Sequence, residues 1–338
     1  MSVSFERRLS VNRYLDPQDD FAPTELPIEI RIHPLTGHVT RLARIGMPDR
    51  DPYKLPEVIA ESAIPIFGPP LVKQITPKFS GEGLAERYER GNSVLFPNLN
   101  PYDEYSPVVA VGDRPLVEPN DLDAGDIADA LLLLRDFFTD LAPPHDAGVV
   151  GWNFWPASSS SIPHPHLQGI SSGRIPARQE AERAGEGRYR REFGADFWDD
   201  YLEVERDGER WVGEHDGWAA VVDFAPKSVV PETVLFPVDG SPAHLQEMSE
   251  PDAAALAGWF CRVAAAHVDL GLSSFNALIH PTAAVDGAPT RLRARYLPRA
   301  YIVEKLRSSD WTWVQVGTDE ALTSILPEVW AERLRAAM

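Results

Sequence analysis

The hydrophobic pattern divides the chain into two halves that repeat one order of elements. In the first half, apolar runs at 93–97 and 107–111 predict strands, and a helical periodicity over 124–141 predicts a helix. Two further strands are predicted at 149–153 and 162–170. The second half repeats the order strand, strand, helix, strand, strand, with strands at 218–222, 233–237, 275–279 and 291–297 around a helix that follows Ser249.

Both predicted helices carry start signals. Asp123 precedes the first helix as an N-cap, and apolar side chains from Leu131 to Phe138 fall on one of its faces. Ser249 precedes the second helix, with Pro251 in its first turn. The caps therefore fix where each predicted helix begins.

Two such halves predict an α+β fold, in which their strands pair into one antiparallel sheet with both helices on one face. A chance similarity between unrelated α+β segments is the alternative. We divide the chain into an N-terminal arm (1–27), a first half (28–175), a second half (176–310) and a C-terminal tail (311–338).

Composition is that of an ordinary globular protein. Hydrophobic residues make up 43% and charged residues 25% of the 338 positions. No stretch approaches the roughly 18 consecutive apolar residues of a membrane span, and the N-terminus has no apolar signal core. The single cysteine, Cys261, excludes an internal disulfide framework and a multi-cysteine zinc cluster. We expect a cytoplasmic protein without a membrane partner.

The formal net charge of −19 argues against nucleic acid as a partner. Polynucleotide binding needs a basic surface that displaces counterions. Small phosphorylated ligands stay possible, because a pocket can hold a local positive potential on an acidic protein.

The candidate chemistry lies in the run 164–168, His-Pro-His-Leu-Gln. In an extended strand, His164, His166 and Gln168 share one face. Pro165 cannot donate to a strand ladder, so the segment is expected at an edge or beside a ligand.

Three interpretations of this run are open from the residues alone. The two histidines are a hydrogen-bonded structural pair, or they share a metal ion with further ligands. In the third, a neutral imidazole is a nucleophile beside an amide that binds phosphate oxygens. The serine run 158–161 supplies hydroxyl and backbone N–H groups that suit the third interpretation.

The run resembles the active-site motif of the galactose-1-phosphate uridylyltransferase family, a branch of the histidine-triad superfamily. That family has an asparagine, a small-residue loop and then His-Pro-His-x-Gln, matched here by Asn153, Ser160, Ser161, His164, His166 and Gln168. Segments 33–37, 96–98 and 292–298 resemble further family elements, in order, over roughly residues 28–300. The resemblance implies two tandem histidine-triad-like repeats that form one mainly antiparallel half-barrel sheet.

The resemblance also implies a role for each matching residue. His166 is the nucleophile that attacks the α-phosphorus of a nucleoside diphosphate sugar and carries the nucleotide in ping-pong fashion. Gln168, Ser160 and Ser161 hold the transferring phosphate, while His164 and Asn153 support the loop. Phe96 and Asn98 resemble the segment that contacts the nucleoside. UMP is favoured by kinship, although Leu99 stands where the family often has Asp.

The chain departs from the family at its metal sites. The cysteine pair of the family's zinc site is missing, so we expect no zinc and no other cofactor. The second metal site matches only at Glu180 or Glu182 and at His280, because Arg293 and Arg295 replace its two histidines. These arginines either pair with the carboxylates or bind an anionic substrate, and we include them among the substrate-binding candidates.

The leading functional hypothesis is transfer of a nucleoside monophosphate from a nucleotide sugar or nucleoside triphosphate to a sugar 1-phosphate. A phosphorylase or hydrolase of nucleotide sugars or dinucleoside polyphosphates, acting through the same His166, is the enzymatic alternative. A nucleotide-binding protein without catalysis is the third hypothesis. The resemblance also implies a homodimer.

Overall fold

The computed structural model describes residues 3–43, 65–284, 291–303 and 307–338. The strands are β1 Glu6–Asp16, β2 Ala22–Ile32, β3 Val39–Leu42, β4 Tyr88–Arg90, β5 Ser93–Pro97, β6 Pro107–Ala110, β7 Gly148–Phe154, β8 His166–Ser171, β9 Trp211–His215, β10 Trp218–Val222, β11 Thr233–Pro237, β12 Ser274–His280, β13 Arg293–Arg299, β14 Tyr301–Val303, β15 Ser308–Ser309 and β16 Ala321–Thr323. The α-helices are α1 Leu71–Ile75, α2 Ala124–Asp140, α3 Ala177–Phe193, α4 Phe197–Arg206, α5 Glu250–Asp269, α6 Trp313–Thr318 and α7 Pro327–Ala337. In the described ranges, no helix combines the length and apolarity needed to cross a membrane.

A ten-stranded sheet with antiparallel pairing throughout forms the centre of the protein. Its strand order is β4-β5-β6-β8-β7-β12-β13-β11-β10-β9, and the two halves of the chain meet where β7 pairs with β12. The order is symmetric about that pair, since each half contributes three strands, a helix and two strands. This symmetry supports the interpretation of two tandem repeats, and the predicted α+β class is confirmed.

The long helices α2 and α5 cover one face of the sheet. The Asp123 carboxylate accepts from the backbone N–H of Asp126, and Ser249 forms a capping box with Asp252, so both predicted N-caps are confirmed. Leu167 and other apolar side chains of the sheet are completely buried against these helices. Burial of each large apolar side chain stabilises the fold by about 1.5–3 kcal/mol.

The opposite face is covered in part, including by α3, whose Glu182 accepts from Arg293 and Arg295 of β13. At one end, aromatic side chains of α4 pack on Val234 and Phe236 of β11. At the other end, Phe67 packs with Phe96 of β5. Beyond these covers, part of β7, β12 and β13 lines an open cavity, with Asn153, Asn276 and Leu297 among its walls.

The two terminal segments pack against each other. Residues 6–32 are the hairpin of β1 and β2, so the expected boundary between 27 and 28 falls inside β2. The last segment is packed: β16 pairs with β3, and Trp330 of α7 is completely buried. Arg31 on β2 also donates to Glu328 on α7 at 2.8 Å. The termini therefore stabilise each other through backbone pairing and an ion pair that local sequence patterns do not show.

Candidate active site

His166 opens strand β8 and lies on the face of the sheet opposite α2 and α5. The residue is only 5% exposed, and Nδ1 of its ring is 2.8 Å from the backbone carbonyl oxygen of His164. Because a carbonyl oxygen can only accept, Nδ1 must carry the proton and donate it. The second ring nitrogen, Nε2, therefore keeps its lone pair.

An aromatic side chain shields this imidazole. The ring of Phe67 meets His166 edge to face at a centroid distance of 5.5 Å, and it meets His164 at 6.0 Å. Burial lowers the pKa of His166 below its ordinary value of 6.5. The imidazole is thus neutral at pH 7, the state in which it is a nucleophile.

His164 precedes strand β8, and its ring meets Phe67 as that of His166 does. β8 begins at His166, so the predicted strand over 162–170 is too long at its start. His164 is buried, and its Nε2 donates to the carbonyl oxygen of Gly112 at 3.2 Å. Its backbone carbonyl, rather than its ring, acts on the neighbouring imidazole.

Gln168 lies two positions along β8 from His166, on the same side of the sheet. It pairs with Val108 on one side and with Gly151 on the other. A Cβ on Gly151 would meet no atom closer than 3.8 Å, so the glycine leaves space in front of the strand. The part of the chain that the structure describes offers the Gln168 amide no side-chain hydrogen bond.

Asn153 brings a second amide to the same face. Trp152 pairs with Leu167, so Asn153 occupies the next register position, beside His166. Asn153 also pairs with Asn276 of β12, whose Nδ2 donates to Asn153 Oδ1 at 2.6 Å. The predicted residues Asn153, His166 and Gln168 therefore share one side of adjacent strands.

The serine loop approaches this group in an unusual backbone conformation. Trp155 and Ser159 have positive φ angles of 65° and 70°, which non-glycine residues rarely adopt. Ser160 donates its hydroxyl to the carbonyl oxygen of Ile162 at 3.0 Å, while Ser161 is exposed. In this conformation the Ser160 hydroxyl proton stabilises the loop instead of pointing at a ligand.

Phe96 and Asn98 lie at the edge of the site. Phe96 is 3% exposed, and its ring packs on Phe67 at a centroid distance of 5.3 Å. The Asn98 side chain accepts from the backbone N–H of Asn100 at 2.9 Å. Phe96 therefore supports the aromatic cover of His166, and Asn98 stabilises its own turn.

A cavity of about 550 Å³ opens beside the two asparagines. Its walls include Gly151 and Leu278 on the sheet, Arg299 at the end of β13, and Trp311. This volume is within the range of small-molecule sites. Arg299, Asn276 and Trp311 were missed by the sequence interpretation, because only the pairing of β12 with β7 brings them to the motif.

Arg293 and Arg295, which the sequence interpretation included among the substrate-binding candidates, are engaged in ion pairs inside the protein. Both are buried, at 3% and 1% exposure. Glu182 on α3 accepts from Arg293 Nη2 at 2.8 Å and from Arg295 Nη2 at 3.2 Å. Arg295 Nη1 also donates to Asp223 at 2.6 Å and to Glu232 at 2.8 Å. The donors are thus directed at carboxylates within the protein.

This ion-pair cluster includes Glu182 and His280, which the sequence resemblance matched to a metal site. His280 Nε2 lies 3.6 Å from Glu182, and Arg178 also donates to that carboxylate, at 3.2 Å. The neighbouring guanidinium groups hold the pKa of Glu182 well below its usual range against the opposing effect of burial. A guanidinium cannot ligate a metal, and in the described ranges no three His, Cys, Asp or Glu side chains are placed to hold one. The residues present do not fit the family's metal.

Buried histidines make the fold sensitive to acid. Burial lowers the pKa of His33 and His280 to about 3, and that of His267 to about 4. An unfolded histidine titrates near pH 6.5, so the unfolded state binds more protons than the folded state between about pH 4 and 6.5. Stability is therefore lost as the pH falls through this window.

We expect the free energy of unfolding, measured by urea titration, to fall between pH 7 and 5 by about 2 kcal/mol for each of these histidines. The variant His267→Phe keeps the ring packing on Tyr296 and Trp330. This variant should lower the slope of the unfolding free energy against pH by the contribution of one titrating histidine. Equal stability of the wild type at pH 7 and pH 5 contradicts the expectation.

Comparison with known proteins shows which solved structures have a similar fold. No family model matches the chain. An uncharacterized protein of Archaeoglobus fulgidus is 24% identical over 316 residues, covering 91% of this chain and 92% of that protein. A galt-like protein and an ADP-glucose phosphorylase with bound ADP-glucose, both from Arabidopsis thaliana, superimpose with a TM-score of 0.70 at 17% identity, over 91% of this chain and 98% of theirs.

A uridylyltransferase superimposes with a TM-score of 0.63 at 18% identity, again over 91% of this chain and 98% of the other. The chain has the GalT-like fold. This match agrees with the predicted α+β fold built on one large, mainly antiparallel sheet, and it covers 91% of the chain.

Proposed function

We propose that this protein is a nucleotidyltransferase that carries a nucleoside monophosphate on Nε2 of His166. The donor is a nucleoside diphosphate sugar or a nucleoside triphosphate, and the acceptor is a sugar 1-phosphate or a related phosphate ester. The two half-reactions follow one another in ping-pong order.

The state of the His166 ring carries this proposal. Its Nδ1 proton is held by the carbonyl oxygen of His164 at 2.8 Å, and burial keeps the ring neutral. The lone pair on Nε2 therefore needs no base to become reactive. Gln168 and Asn153 stand on the same face, where amide donors stabilise the charge that develops on the phosphate oxygens.

Each half-reaction exchanges one bond to phosphorus. In the first, the Nε2 lone pair forms the N–P bond while the P–O bond to the leaving sugar phosphate breaks, and the electron pair leaves with that oxygen. In the second, a phosphate oxygen of the acceptor attacks the same phosphorus and the N–P bond breaks. The ring returns to its neutral form, with Nδ1 protonated throughout.

The proposal also addresses which nucleotide base is transferred and which acceptor takes it. Similarity to a uridylyltransferase favours UMP, while similarity to an ADP-glucose phosphorylase supports a second candidate in which inorganic phosphate takes the nucleotide. The cavity of about 550 Å³ beside Asn153 is large enough for a sugar or a base. We further propose that the reaction needs no metal and takes place in the cytoplasm, and that the protein is a homodimer.

The test begins with nucleotide donors labelled in the α-phosphate, namely UDP-glucose, ADP-glucose and UTP. The purified protein is mixed with each donor and quenched in base, and label bound to the protein is measured before and after acid treatment. We expect an acid-labile adduct from at least one donor. Label that stays with small molecules in every case contradicts the proposal.

The acceptor is then identified on the isolated adduct. Glucose 1-phosphate, galactose 1-phosphate and inorganic phosphate are added separately. Release as a labelled nucleotide sugar supports the transferase, and release as a labelled nucleoside diphosphate supports the phosphorylase. Metal analysis of the same preparation should find less than one zinc per chain.

A further inference from the structure

A chain of four side chains leads from the edge of the cavity to the proposed phosphate site. Asp310 accepts from Arg299 Nη2 at 2.7 Å, and it is only 4% exposed. Arg299 Nη1 donates to Asn276 Oδ1. Asn276 Nδ2 then donates to Asn153 Oδ1 at 2.6 Å. Each member of this chain is hydrogen-bonded to the next.

The groups on either side of Asn276 determine the direction of each hydrogen bond in this chain of side chains. A guanidinium group only donates, so Asn276 must turn its oxygen to Arg299. The Asn276 amide N–H groups then face Asn153 and the backbone carbonyl oxygen of Ser158, which lies at 3.1 Å and only accepts. Both ends demand the same orientation of the Asn276 amide.

The consequence falls on Asn153. Its oxygen is held by Asn276, so its Nδ2 group points away from β12. Asn153 makes no other side-chain hydrogen bond to the described residues, and it occupies the register position beside His166. The amide therefore presents donors where a phosphate bonded to Nε2 would need them. An asparagine without this restraint can also turn its oxygen to the phosphate, which repels it.

We propose that Asn276 and Arg299 are positioning residues that fix the amide of Asn153 with its donors towards the transferring phosphate. This inference rests on the proposed function. Asp310 holds Arg299 in place through a bidentate ion pair, with bonds to both carboxylate oxygens. What this arrangement determines is the orientation of the Asn153 amide.

The substitution Asn276→Asp reverses that orientation with almost no change in size. The new carboxylate still accepts from Arg299, but its other oxygen faces Asn153. Asn153 must then turn its N–H groups to this oxygen and present its own oxygen to the phosphate. We expect the rate of adduct formation at saturating donor to fall about 100-fold or more, the cost of losing a preorganised donor.

The matched control is Asn276→Ala, which frees Asn153 without reversing it. This variant should lose about 10-fold, since Asn153 can still rotate to donate. Arg299→Lys retains a donor to Asn276 and should recover most of the rate that Arg299→Met loses. Equal losses in Asn276→Asp and Asn276→Ala overturn the proposal.

A double-mutant cycle separates orientation from the added charge. If Asn276→Asp acts through Asn153, it should have almost no further effect in the background Asn153→Ala. An undiminished loss in that background would show that the charge acts directly, which overturns the positioning role. Circular dichroism and thermal unfolding of each variant show whether the fold is kept.

The same cycle is measured on the dissociation constant of UDP-glucose and of ADP-glucose by calorimetry, which needs no turnover. Coupling between positions 153 and 276 in binding supports the positioning role even if no adduct forms. If the wild type forms an adduct but the two positions act independently, the positioning role fails and the proposed function stands. If the wild type forms no adduct, the proposed function fails.

Discussion

The variant His166→Ala is expected to form no nucleotidyl adduct and to lose at least about 10⁴-fold in transfer rate, as removal of a covalent nucleophile does in other enzymes. Alanine has no lone pair to form the N–P bond. Gln168 and Asn153 remain to bind the phosphate, so donor binding should be affected far less than transfer. Label bound to protein after a base quench measures the first effect, and calorimetry measures the second.

His215→Ala is the matched control, because this histidine lies on β9 at the far edge of the sheet and is exposed. Its adduct yield should equal that of the wild type. An adduct of unchanged yield in His166→Ala would place the nucleophile elsewhere. Phosphorus NMR of the wild-type adduct should show the phosphate on Nε2, since Nδ1 is held by the His164 carbonyl oxygen.

The variant Glu182→Ala is expected to destabilise the fold by about 3–5 kcal/mol, the usual cost of breaking a buried ion pair from one side. Glu182 accepts from Arg178, Arg293 and Arg295, and its side chain is 1% exposed. Without it, the guanidinium groups of β13 lose a shared counter-charge in a region closed to water. Urea unfolding at pH 7 gives the change in free energy.

Glu180→Ala provides the control on the same helix. Its carboxylate is half exposed and pairs with Arg183 at 3.1 Å, an interaction of about 1 kcal/mol or less. A loss in Glu182→Ala no larger than that in Glu180→Ala would show that the cluster contributes little to stability. The rate of nucleotidyl transfer is measured separately. In the described part of the chain, neither Glu182 nor Glu180 contacts His166.

The strongly periodic elements and the run His-Pro-His-Leu-Gln at 164–168 could be identified from the sequence. Helices α2 and α5 have apolar faces and N-caps, so their starts at Asp123 and Ser249 follow from local chemistry. His166 and Gln168 could be placed on one face because a strand has a period of two. The position of Asn153 beside them depends on the pairing of β7 with β8.

Helix α3 could not be predicted in this way. Its buried face is made of Gln179, Glu182, Gly185, Glu186 and Tyr189, so it has almost no hydrophobic period. Those carboxylates are stabilised by arginines more than 100 positions later in the chain, at Arg293 and Arg295. Local patterns contain no information on such pairs.

Because local patterns do not show long-range pairs, the sequence left two roles open for Arg293 and Arg295. The sequence allowed ion pairing with Glu182 or binding of an anionic substrate, and the structure places both side chains in ion pairs. Asp223 and Glu232 were not candidates, because each lies in an apolar stretch with no motif around it. The pairing of β11 with β13 brings Glu232 to Arg295.

The buried ion pairs around Arg295 also influence how the protein responds to heat. Charged groups become less strongly hydrated as temperature rises, so the penalty for removing them from water decreases. Hydrophobic stabilisation per unit area reaches a plateau over the same range. This ion-pair cluster therefore contributes a growing share of the stability on warming; its members are Arg293, Arg295, Glu182, Asp223 and Glu232. Its contribution does not depend on the supply of a metal.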